Sequence, residues 1–366
     1  MKDKMNYSIL DYVKWRGDIS LNLDEFNEVD ALVLNMVHFL DFQNKTEKYS
    51  SYYLNELIDC YFLDKDYTKL NLGLIIPNEV ISLAHEVSNA KRYQDIKTVD
   101  YINVIDFHLS EQFSAITFIL PNKRIFISYR GTDDTLVGWG EDINMIAAFP
   151  IPAQLDASKY LNDCARKFPK HQIIIGGHSK GANLAIYASI YCLDKIKNRI
   201  SNIYAFDGPG FNMNKIDLDR FNLIKNKILR IVPTCSIVGR MFELDVSPFI
   251  TKSYEVGLRQ HDPFTWYINK NKFYKKNHFT KESDQIKEEL DELINSMSED
   301  DKIQFADDIN TYIYSLEQNH LLEFVNPKSL MSLFTNKHRM KHKNIHLLLK
   351  LYLIMKKHNA ITFKSK

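Results

Sequence analysis

The chain is poor in cysteine. It has four in 366 residues, Cys60, Cys164, Cys192 and Cys235, and none stands at the spacing of a metal site or a dithiol redox motif. Thiol–metal and dithiol chemistry drop out, and a reducing compartment is expected. No apolar run approaches the roughly 18–20 residues of a membrane span. The opening Met1 to Tyr7 lacks the apolar core of a signal peptide. A soluble cytoplasmic protein is therefore expected, and export without a cleaved signal stays open. The net charge of +1 gives no global argument for nucleic acid. Internal repeats and low-complexity linkers are absent. Acidic residues are missing from one stretch: Phe324 to Lys366 has ten Lys or Arg and no Asp or Glu.

What is present is an ordinary globular composition, 45% apolar and 25% charged. The first 100 residues read as mainly helical. Val29, Leu32, Val33, Met36, Val37 and Leu40 fall at helical spacing after Asn27, a candidate cap. A second helix is predicted around Asn78 to Tyr93. Two β-rich runs, Phe113 to Leu120 and Arg124 to Tyr129, flank the turn Pro121-Asn122-Lys123 and predict a hairpin. Ala157 to Phe168 reads as a helix. Strands are predicted at Ile203 to Phe206, at Ile228 to Val232 and next at Ser253 to Val256. Beyond Lys281 only helices are expected, at 283–297, 299–317 and 343–357. Alternating strands and helices imply a mainly parallel sheet with helices on its faces. The expected organisation is a helical segment over 1–100 packed on the core, a core over 101–280, and a helical C-terminal appendage over 281–366.

The most informative stretch is Gly177-His178-Ser179-Lys180-Gly181. An apolar run, Ile173 to Ile175, precedes it, and a helix-forming run from Ala182 to Ala188 follows. Strand, Gly-x-Ser-x-Gly and helix together make the nucleophile elbow of the α/β-hydrolase fold. The serine sits on a turn so sharp that side chains two positions either side would collide with strand or helix. The turn presents its hydroxyl at a helix N-terminus, where backbone N–H groups favour developing negative charge. Ser179 is thus the candidate nucleophile.

A serine hydroxyl needs a base, usually histidine, held by an acid. In this fold the chain order is serine, acid, histidine. Between the elbow and residue 277 the sequence has one histidine, His261, in a turn before Pro263. It is the candidate base, against the plain reading of a surface-loop histidine. His178 is expected to point away from the pocket or into the elbow packing, in a structural role. Asp207 ends the strand after the elbow helix and is the candidate acid; the alternative is a turn cap. Glu243 and Asp245 are the fallback acids, and Asp262 adjoins His261 too closely to orient it. Oxyanion donors are expected from the backbone N–H of Lys180 and from Thr132, in the loop Arg130-Gly131-Thr132.

Tyr129-Arg130-Gly131-Thr132, followed by Trp139 and Asp142, resembles the aromatic-Arg-Gly-Ser/Thr … Trp … Asp signature of the class 3 triacylglycerol lipases. There the residue matching Thr132 lines the oxyanion hole. The elbow matches too, with Lys180 where Leu is usual and Ala182 where Gly is frequent. The set Gly-His-Ser-Lys-Gly, Phe-Asp-Gly-Pro-Gly, Ser-Ile-Val-Gly and His-Asp-Pro-Phe-Thr-Trp resembles a poorly characterised group of bacterial lipase-like hydrolases, as does Asp11 to Asp18. The lipase likeness spans about 113–262, and the other spans most of the chain. Class 3 lipases carry their acid after the next strand. Here that place reads Cys235-Ser236-Ile237-Val238-Gly239, without a carboxylate.

The expected function is hydrolysis of carboxylic esters with an acyl or lipid component, through Ser179, His261 and Asp207, with no metal or cofactor. A peptidase or acyltransferase on the same triad is open, and so is a catalytically weak scaffold. The basic, apolar segment Asn344 to Lys357 reads either as a buried helix or as a contact for an anionic membrane surface.

Overall fold

A computed structural model describes residues 7–43, 45, 51–66, 69–73 and 75–314, together with residues 344, 346–347, 350, 353–354 and 357–358. Much of the basic C-terminal segment, and with it the membrane reading, lies outside the described residues.

The chain opens with helices α1 (Ile9–Arg16) and α2 (Glu28–Val37). Both start at capping boxes, Ser8 with Asp11 and Asn27 with Asp30. The short strand β1 (Tyr52–Tyr53) follows, then α3 (Leu54–Phe62) and α4 (Glu79–Asn89). Next come β2 (Lys97–Asp106), β3 (Glu111–Leu120) and β4 (Arg124–Tyr129). The predicted hairpin is present: Leu120 faces Arg124 across a turn in which Asn122 and Lys123 both have positive φ, 61° and 53°.

Helices α5 (Leu136–Asn144) and α6 (Pro152–Lys167) lead to β5 (Gln172–His178), and α7 (Lys180–Tyr191) follows the elbow. Beyond it lie α8 (Asp194–Lys197), β6 (Ile200–Phe206), α9 (Leu218–Asn222), β7 (Ile228–Pro233) and β8 (Phe249–Thr251). A two-stranded hairpin of β9 (Ile268–Asn269) and β10 (Lys272–Phe273) precedes β11 (Lys275–Lys276). Helices α10 (Lys281–Asn295) and α11 (Glu299–Tyr314) follow.

Among the described residues nine strands form one sheet in the order β1-β2-β3-β4-β5-β6-β7-β8-β11. Strands β4 to β8 run parallel, and the strands at both ends are antiparallel. The last strand of the parallel block is Phe249–Thr251. The predicted run at Ser253–Val256 makes only a single bridge, from Ser253 to Trp266.

Strand alternation divides the core. Ile125, Ile127, Ile173 and Ile175 point to the face covered by α6, α7 and α9. Phe126, Ile174, Tyr204 and Phe206 point to the face covered by α1 to α4. Burial on both faces explains why these strands read as continuous apolar runs. Helices α1 to α4 thus supply one layer of the domain. Charges are neutralised inside it: Arg92 and Asp30 are fully buried and joined by bonds of 2.7 and 2.6 Å. Separately, Leu136 of α5 packs with Phe305 and Ile309 of α11. The whole is an α/β-hydrolase fold. Among the described residues no helix is long and apolar enough to cross a membrane.

Candidate active site

Strand β5 delivers His178 to the carboxyl edge of the sheet, and α7 begins at Lys180. Ser179 lies between them with φ 59° and ψ −131°, a strained conformation for a residue with a side chain. The two glycines are forced by contact. A Cβ at Gly177 would stand 2.2 Å from the backbone of Gly181, and one at Gly181 would stand 2.2 Å from the Tyr129 carbonyl oxygen. Ser179 is half-buried.

Asp207 follows β6 and is fully buried, also with a positive φ, 43°. Its Oδ2 lies 2.7 Å from His261 Nδ1. A carboxylate oxygen only accepts, so Nδ1 carries the proton and Nε2 is left as a base. Asp207 Oδ1 accepts from Ser236 Oγ at 2.5 Å, and Ser236 Oγ in turn accepts from the Gly239 N–H at 2.9 Å. Gly239 is itself obligatory, since a Cβ there would stand 2.1 Å from Asp207 Oδ1. The stretch that lacks a carboxylate therefore supplies the hydroxyl that fixes one. Sequence reasoning missed Ser236, because nothing local signals its contact with a residue on the previous strand.

The fallback acids lie elsewhere. The backbone of Glu243 pairs with Phe211, and Asp245 is an exposed partner of Lys225. Asp262 caps the turn after His261, its Oδ1 accepting from Phe264 N–H at 2.9 Å.

His261 rests on the elbow itself. The His178 and His261 rings are 4.5 Å apart and tilted by 32°. His178 Nε2 lies 2.9 Å from the His261 carbonyl oxygen, to which it must donate. Burial, and then the neighbouring His261, push the His178 pKa well below that of an ordinary imidazole. It is a neutral hydrogen-bond donor under the candidate base. Trp266 closes the loop from the other side, edge-on to His178 at 6.1 Å and donating from Nε1 to the Gln260 carbonyl at 2.7 Å. Among the described residues no hydrogen bond joins Ser179 Oγ to His261. Bonds between nucleophile and base commonly tighten only when substrate is bound.

The loop after β4 abuts the serine. A Cβ at Gly131 would stand 3.1 Å from Ser179 Cβ. The Thr132 hydroxyl donates to Asp142 Oδ2 on α5 at 2.6 Å, which orients Thr132 at the edge of the site. Asp142 Oδ1 and Trp139 Nε1 are shut off from solvent and have no hydrogen-bond partner among the described residues. Burial raises the Asp142 pKa to about 6; the Lys180 charge and the Thr132 hydroxyl hold it down. A cavity of about 350 Å³ has Asn183, Phe149, Phe211 and Ile294 in its wall; Ser179, Thr132, Asp207 and His261 do not line it.

The sequence profile of a family described as Mbeg1-like matches residues 87–311. The chain belongs to the Mbeg1-like family. No curated protein matches it. Among solved structures it is similar to the M37 lipase at 14% identity, over 59% of this chain and 70% of that one, with a TM-score of 0.38. It is similar to the Lip2 lipase of Yarrowia lipolytica at 14% identity, over 57% of this chain and 75% of that one, TM-score 0.34. For the lipase of Rhizopus microsporus var. chinensis the values are 16%, 48%, 68% and 0.31. The Mbeg1-like span takes in Thr132, Ser179, Asp207 and His261. It also takes in α5, α10 and most of α11, so the helices packed against α5 lie within it.

Proposed function

We propose that this chain is a serine hydrolase of carboxylic esters with an acyl or lipid component, acting in the cytoplasm of a bacterium. The observation that carries the reading is the contact of His261 Nδ1 with Asp207 Oδ2, beside a serine in the elbow conformation. Ser179 Oγ attacks the ester carbonyl while His261 Nε2 takes its proton. Asp207 holds the imidazole in the tautomer that leaves Nε2 free and steadies the imidazolium that forms. The carbonyl oxygen, now negative, accepts from the Lys180 N–H and the Thr132 N–H. Collapse expels the alcohol, which takes the proton from His261. Water, activated by the same histidine, then releases the acid from Ser179.

A scaffold that has lost catalysis would need no orienting acid, whereas here Ser236 and Gly239 hold Asp207 toward His261. An acyltransferase would use the same steps with a different acceptor alcohol or amine.

The test is labelling of the purified protein with a fluorophosphonate, mapped by peptide mass. The expected result is one labelled serine, Ser179, and no labelling of the Ser179→Ala variant. An unlabelled parent would refute the reading.

A further inference from the structure

Lys180 is a charged residue in a core position. Its side chain is 1% exposed, and its ion-pair partner Glu141 is 0% exposed. The ammonium makes three bonds: to Glu141 Oε2 at 2.7 Å, to the Gln112 carbonyl at 2.9 Å and to Gln112 Oε1 at 2.7 Å. Three donors meet three acceptors, so the group is saturated. Glu141 is held as fully. Its Oε2 also accepts the Gln112 N–H at 3.2 Å, and its Oε1 accepts the Ala153 N–H at 3.0 Å. Burying such a pair carries a desolvation cost that an apolar pair of the same volume would avoid. What the pair offers over apolar packing is direction.

The direction matters because of the neighbours. Lys180 follows Ser179 and opens α7, and its own N–H is one oxyanion donor. Glu141 precedes Asp142 on α5, and Asp142 Oδ2 holds the Thr132 hydroxyl at 2.6 Å. The ion pair therefore ties the helix carrying one donor to the helix that orients the other. These two helices lie on opposite sides of the elbow in sequence. Gln112, at the start of β3, is the common anchor.

We infer that the Lys180–Glu141 pair is a positioning device that fixes the spacing of the oxyanion donors, Lys180 N–H and Thr132. This rests on the proposed serine hydrolysis. The pair acts on the transition state through Thr132 and the α7 N-terminus, not by touching the substrate. A second consequence follows from charge. The groups facing Asp142 are Lys180 from α7, Glu141 from α5, His261 from the loop after β8, and the Thr132 hydroxyl. The Lys180 charge outweighs that of Glu141 and keeps Asp142 ionised as an acceptor for Thr132 near neutral pH.

The experiment compares the parent with the double variant Lys180→Met/Glu141→Met, which replaces the ion pair by an apolar pair. Melting temperature, kcat and KM for a p-nitrophenyl ester are measured from pH 5 to 9, with active sites counted by fluorophosphonate. Expected are a melting temperature near the parent's, KM within about twofold, and kcat lower by about 10²-fold, as for loss of an oxyanion donor. The acid limb of the kcat profile should also move to higher pH. A double variant with parental kcat and a parental acid limb would reduce the pair to packing and overturn the inference. If the double variant does not fold, Glu141→Gln decides in its place. A kcat per labelled site at least tenfold lower with unchanged KM supports positioning; parental kcat refutes it. A parent that neither labels nor hydrolyses fails the underlying reading instead, and the inference with it.

Discussion

Asp207 Oδ2 lies 2.7 Å from His261 Nδ1, across 54 residues of chain. The contact joins the end of β6 to the turn beyond β8. It sets Asp207 against His261, whereas the Glu243 backbone pairs with Phe211 and Asp245 with Lys225.

Asp207→Asn should therefore lose most turnover. Loss of the orienting carboxylate costs about 10⁴-fold in the serine proteases. Glu243→Gln and Asp245→Asn should keep nearly parental turnover. Turnover per folded molecule, read beside the melting temperature, separates this from a cap. A residue that only capped its turn would cost stability, about 0.5–2 kcal/mol on the scale of lost helix caps, and spare turnover.

Ser236→Ala removes the hydroxyl that Asp207 Oδ1 accepts from. Hydrogen bonds to charged groups contribute about 1.5–3 kcal/mol. Urea unfolding should show a loss of that size. Turnover should fall by less than in Asp207→Asn, because the contact with His261 remains.

The fold and the site were legible to different depths. The elbow was legible because its constraints are local: two glycines, a strand before and a helix after. The hairpin of β3 and β4 was legible for the same reason. Strand β2 was not, because its register breaks between Val99 and Ile102, where Asp100 takes φ 56° and interrupts the alternation. Helix α5 was not, because Gly138 and Gly140 weaken its helical signal. Ser236, Glu141 and the seating of His178 under His261 escaped notice because each depends on a partner from another element. Asp207 and His261 could be nominated from position along the chain, but their pairing is a fact of the folded sheet.

Burial raises the pKa of Asp142 to about 6 and those of Glu111 and Asp262 to about 7. In the unfolded chain such groups titrate near about 4. The folded protein thus binds more protons than the unfolded chain between about pH 4 and 7, and stability from these groups falls as pH rises through that window. Burial drives His38 and His178 well below the ordinary imidazole value. Their unfolded counterparts gain protons below about pH 6.5, which costs stability on that side. Melting temperature should rise from pH 8 to about 6.5 and then flatten. Glu111→Gln should shrink that rise, and a profile that falls throughout from pH 8 to 6.5 would contradict the assignment.

Arg92→Met leaves the Asp30 carboxylate buried without its cation. Breaking a buried pair in this way costs about 3–5 kcal/mol. Urea unfolding should report a loss of that order. Fluorophosphonate labelling per folded molecule should stay unchanged, since the pair lies in the layer of helices behind the sheet.

The most direct measurement of the central claim is a rapid-mixing experiment with a p-nitrophenyl ester on the parent and on Ser179→Ala. A serine that is acylated before water releases the acid should give an initial burst of p-nitrophenolate of about one equivalent per active site when deacylation is slow. The expected result is a burst and steady turnover in the parent, and neither in the folded Ser179→Ala variant. Hydrolysis by Ser179→Ala at the parental rate would contradict the assignment of Ser179 as the nucleophile.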